Sequence, residues 1–64
     1  MEIIKRAMQK KNMTEEQLAN KIGVKKKTVS NWANDIEIPS ATYQAKLSKV
    51  LDIPLYKLAD YYNG

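Results

Sequence analysis

A chain of 64 residues with no cysteine and no histidine has room for one small domain, and it lacks disulfide staples, the commonest metal ligand and the commonest general base. That inventory excludes zinc fingers, cysteine nucleophiles and Ser-His-Asp triads, and no apolar run approaches the roughly 18 residues of a membrane span. The net charge of +4 is unevenly placed: residues 1–34 carry eight Lys/Arg against three acids, and residues 35–64 carry three lysines against four acids. A basic half beside a near-neutral half suggests a face meant for a polyanion.

The apolar residues Ile3, Ile4, Ala7 and Met8 have helical spacing and predict a first helix over residues 1–11. Asn12 follows where a helix often ends in a left-handed residue. Thr14 and Gln17 form a capping-box pattern that opens a second helix, with Leu18, Ala19 and Ile22 as its buried face and Gly23 as its end. Only Val24 and Lys25 separate Gly23 from a third helical pattern, residues 26–32 or 26–33, with Val29 and Trp32 on its inner side. Asn34 and Asp35 favour a turn, and residues 36–39 an extended loop, since Pro39 biases Ile38 away from helix. Ser40 caps a fourth helix whose inward residues are Tyr43, Leu47, Val50 and Leu51. Pro54 suits the first turn of a fifth helix, facing inward with Leu55, Leu58 and Tyr61 or Tyr62. Nothing reads as a strand. The expected fold is all-α, five short helices around one core.

Helices 2 and 3, joined by a sharp connection containing glycine, make a helix-turn-helix arrangement. Packing of Val29 and Trp32 against Leu18, Ala19 and Ile22 leaves an outer face of Lys26, Lys27, Ser30, Asn31 and Asn34. Lys25 and Thr28 stand at its leading edge. That face is polar throughout and contains no acid. Lysine can meet guanine O6/N7 or phosphate, and asparagine can bind adenine N6/N7 with two hydrogen bonds. Such a narrow, positive, amide-bearing face suits the major groove of DNA. Trp32 is expected in the core, with an indole N–H in need of a partner. Lys5, Arg6, Lys10 and Lys11 are each expected to be solvated.

The stretch MTEEQLANKIGVKKKTVSNWANDIEIPS resembles the Cro/repressor (Xre-type) helix-turn-helix family of phage and bacterial DNA-binding proteins. It follows that family's pattern at Thr14, Leu18, Ala19, Gly23, Val24, Thr28, Val29, Ser30, Trp32, Pro39 and Ser40, and LSKVLDIPLYKL resembles the family's fourth and fifth helices. The resemblance implies a single compact repressor-like domain over residues 1–64. It also implies a transcription regulator, Cro-like, that represses by occupying its operator. Lys26, Lys27 and Asn31 would approach base edges, and Thr28 a thymine methyl or a phosphate. Lys25, Ser30 and Asn34 would lie against the phosphate backbone. The implied partner is a near-palindromic double-stranded operator bound by a weak homodimer, for which any exposed tyrosine among Tyr56, Tyr61 and Tyr62 is a candidate seam. No catalysis, cofactor, metal or small-molecule ligand is expected. The expected location is the cytoplasm of a bacterial or phage-infected cell, associated with the nucleoid.

Three departures from the family pattern bear on this. Glu15 stands where a phosphate-binding Gln is common, and reads instead as a favourable charge at a helix N-terminus. Asp35 replaces a turn glycine. Met8 and Ala33 replace an Arg–Glu pair, a double loss that leaves no lone buried charge. Two other readings stay open: a protein-interaction module of the same fold, of antitoxin or anti-repressor type, and an RNA-binding domain. The second would forfeit the recognition helix, because the major groove of A-form RNA is too deep and narrow to admit it.

Overall fold

Where each helix stops is decided by a few capping residues, and these fix the path of the whole chain. The computed structural model describes residues 2–64. It contains α1 (Ile3–Lys10), α2 (Glu15–Ile22), α3 (Lys26–Ala33), α4 (Ala41–Leu51) and α5 (Leu55–Asn63), and no strand among the described residues. Within the expected first helix, Glu2 is the N-cap and Lys11 the C-cap rather than helical residues; Met1 lies outside the described residues.

The capping box of α2 is complete. Thr14 Oγ1 accepts from the Gln17 N–H at 3.1 Å, and Gln17 Oε1 accepts from the Thr14 N–H at 2.9 Å. Ser40 Oγ likewise accepts from the Tyr43 N–H at the head of α4. The first four helices all end in a left-handed residue: Asn12 (φ 52°), Gly23 (φ 90°), Asp35 (φ 57°) and Asp52 (φ 55°). In each case the next N–H reaches back five residues to close the helix, from Met13 to Met8, Val24 to Ala19, Ile36 to Asn31 and Ile53 to Ser48. The residue that closes each helix is apolar. Met13, Val24 and Ile53 pack against the core, whereas Ile36 stays 72% exposed.

The core takes Ile4 and Met8 from α1, Leu18, Ala19 and Ile22 from α2, and Val29, Trp32 and Ala33 from α3. Leu47 and Leu51 of α4 and Leu58 of α5 complete it. Both apolar replacements of the family's ion pair, Met8 and Ala33, are buried in this cluster. α2 packs on α3 and α4, α1 on α3, and α5 on α4. Tyr43 and Val50 are only half-buried. Leu55 corrects its expected place: at 49% exposure it faces solvent, because it is the first residue of α5 after Pro54 and the buried stripe starts one turn later at Leu58. Pro54 itself is the N-cap rather than the first helical residue. Gln44 is a buried polar residue whose Nε2 donates to the Pro39 carbonyl at 2.9 Å, pinning the loop between α3 and α4. No helix among the described residues is long and apolar enough to cross a membrane.

Candidate nucleic-acid interface

α3 is seated by its inner side. Val29, Trp32 and Ala33 are buried against α2 and α1, and Trp32 packs on Tyr43 of α4 with ring centroids 5.4 Å apart. Three buried positions out of eight leave the helix little freedom to rotate about its axis, so its other side has a defined outward direction. Lys25 at the N-cap and Lys26 and Lys27 in the first turn are all exposed. Thr28, Ser30 and Asn31 are half-buried, and Asn34 at the C-cap is exposed. Lys27 and Asn31 are four residues apart, as are Ser30 and Asn34, so each pair shares a strip of helix surface.

Electrostatics polarise this helix. No acid sits in its first turn, no side chain caps its N-terminus, and three lysines cluster there, so the positive end of the helix dipole coincides with positive side chains. That end favours an anion such as a phosphate. Acids follow the other end, at Asp35 and Glu37.

Two of the expected site residues already have partners on the protein. Asn34 Nδ2 donates to the Ser30 carbonyl at 2.9 Å and also approaches Ser30 Oγ. Asn31 Nδ2 donates to Glu37 Oε1 at 3.3 Å. Glu37 therefore corrects the expectation of an acid-free face: the loop after α3 folds back and sets a carboxylate beside Asn31. Sequence spacing gave no signal of this, since the contact depends on the sharp reversal at Asp35. A groove of about 350 Å³ runs alongside, lined by Thr28, Glu37, Ser40 and Tyr43 among others.

Asp35 keeps the turn that its family position requires, because aspartate tolerates the left-handed conformation better than most residues. Its carboxylate also accepts a hydrogen bond from Tyr61 Oη at 2.7 Å, tying α5 to the end of α3. That bond, chiefly, raises the Tyr61 pKa above its ordinary value. Tyr61 and Tyr62 meet edge to face at 5.0 Å, and both are half-buried, while Tyr56 is 64% exposed beside Leu55.

No curated protein and no solved structure matches the chain. The family model for helix-turn-helix proteins matches residues 4–58, from the first buried residue of α1 to the buried leucine of α5. With five helices, a glycine-closed α2–α3 turn and that match along most of its length, the chain belongs to the helix-turn-helix family of Cro/repressor type, whose members are DNA-binding regulators.

Proposed function

We propose that the 64 residues act as a single domain that binds double-stranded DNA sequence-specifically and represses transcription by occupying an operator, with α3 in the major groove. The observation that carries this reading is the two-sidedness of α3: an inner side locked by Val29, Trp32 and Ala33, and an outward side that presents Lys26, Lys27 and Asn31. Lys26 and Lys27 meet guanine edges, Asn31 an adenine, and Thr28 a thymine methyl or a phosphate. Lys25, Ser30 and Asn34 position the helix on the backbone. One copy covers one half-site, so the functional unit is a weak dimer on a near-palindrome with half-site centres about 34–36 Å apart, the spacing known for phage repressors and Cro. The exposed Leu55 and Tyr56 are the seam this reading assigns to that dimer.

The test is selection from a pool of random duplexes at two salt concentrations, with the parent chain and two variants. The parent should enrich a palindrome with one-turn spacing. Asn31→Ala should relax preference at one base position by about 1–3 kcal/mol. Lys25→Ala should weaken all sequences alike and lower the salt slope by about one unit. Retention lost at moderate salt with no motif enriched would favour the second reading, a protein-interaction module, for which the exposed Ile36, Ile38, Leu55 and Tyr56 are the supporting observation.

A further inference from the structure

We propose that Glu37 is a specificity-determining residue that acts through Asn31, holding the asparagine amide in one of its two orientations and so selecting the base it reads. This inference rests on the major-groove reading of α3.

Asn31 makes three bonds to the segment after its helix. Its carbonyl accepts from the Ile36 N–H at 2.8 Å and the Glu37 N–H at 3.2 Å, which fixes the backbone of residue 37 against the last turn of α3. Its side-chain Nδ2 donates to Glu37 Oε1 at 3.3 Å. An ionised carboxylate only accepts, so the amide nitrogen must face it; the turned-over amide would set Oδ1 against the carboxylate. An unanchored asparagine presents its donor and acceptor in either order. Adenine requires one order, an acceptor for N6–H and a donor for N7. With one N–H committed to Glu37, Asn31 retains Oδ1 and its second N–H, which is the pair adenine takes. Glu37 is exposed and Asn31 half-buried, so the contact lies at the surface where a base edge can arrive.

The same carboxylate has an opposite effect on affinity. Beside a phosphate backbone its charge weakens binding to every sequence alike. Glu37 thus lowers general affinity while sharpening preference at one position, and substitution separates the two effects. Glu37→Ala removes both the acceptor and the charge. Glu37→Gln removes the charge and supplies an amide that either accepts or donates, so it no longer dictates the order.

The experiment is the random-duplex selection repeated with Asn31→Ala, Glu37→Ala, Glu37→Gln and the Asn31→Ala/Glu37→Ala double variant, with thermal melting as a control on folding. Both Glu37 variants should bind all duplexes more tightly. Both should also lose preference, about threefold to tenfold, at the one base position that Asn31→Ala identifies. The double variant should lose no more there than Asn31→Ala alone. If the Glu37 variants gain affinity uniformly and keep that preference, Glu37 is a repelling charge only and the inference is overturned, with the reading of α3 intact. If Asn31→Ala leaves every base preference unchanged, the reading of α3 falls and takes this inference with it.

Discussion

Tyr61 and Tyr62 are adjacent, and their hydroxyls meet opposite fates. Tyr61 Oη donates to Asp35, whereas the Tyr62 hydroxyl is buried without a hydrogen-bond partner. An unpartnered buried polar atom costs about 1–3 kcal/mol, and removing it cleanly recovers part of that. Tyr62→Phe is therefore expected to raise stability by about 1 kcal/mol, which calorimetry reads as a melting temperature higher by about 4–8 °C. Trp32 Nε1 is buried and unpartnered as well: the core position expected of Trp32 is met, and the partner expected for its N–H is absent. Individual polar contacts were the least legible part of this chain. Glu37 reaches Asn31 and Gln44 reaches Pro39 only after the chain has turned, and neither pair has a spacing that local chemistry singles out.

Among the elements, the turns were legible where one residue type dictates the backbone. Thr14, Gln17 and Ser40 make their expected caps, and Asn12 and Gly23 take the left-handed conformation their positions implied. Asp52 does the same without having been singled out, because its role depends on where α4 stops. The α2–α3 turn gives a direct test. A Cβ at Gly23 would meet nothing within 4 Å, so only backbone conformation resists a side chain there. Gly23→Ala should lower stability by about 1–2 kcal/mol, while Gly23→Asn should cost distinctly less, as asparagine tolerates the left-handed region and Asn12 adopts it (φ 52°) after α1. Equal losses for the two in denaturant titration would point to a steric cause instead. The misplaced element face was that of α5: periodicity grouped Leu55 with Leu58, but a helical stripe says nothing about how far the neighbouring core extends along it.

At the scale of the molecule, two side-chain contacts link helix ends that are distant in sequence. Lys11 pairs with Asp52 between the ends of α1 and α4, and Tyr61 binds Asp35 between α5 and α3. Both contacts end on left-handed aspartates, so the same residues that close helices also link distant ones. Burial, then the charges of Asp35 and Tyr61, push the Tyr62 pKa far above its ordinary value near 10. Above pH 10 the unfolded chain releases this proton while the folded chain keeps it. The unfolded state then binds fewer protons, so stability falls as pH rises. Denaturant midpoints measured from pH 8 to 11.5 should be flat at first and then decline, and Tyr62→Phe should flatten the decline. The fold class, the helix order and the basic outward side of α3 were all readable from the sequence, because they follow from periodicity and composition. The acid beside that side was not, because it enters from a loop.

If α3 docks on DNA as proposed above, its polarity, lysines at its head and carboxylates beyond its tail, also bears on how fast the protein finds its target. A helix charged this way feels a torque in the field of a duplex before any contact forms, and the torque turns the lysine end towards the phosphates. Fewer collisions are then wasted in wrong orientations, and association is quickest in dilute salt, where the field reaches furthest. Glu37 and Asp35 at the trailing end would resist the reversed approach, so the Glu37 charge proposed to weaken the final grip would also help the molecule arrive the right way round.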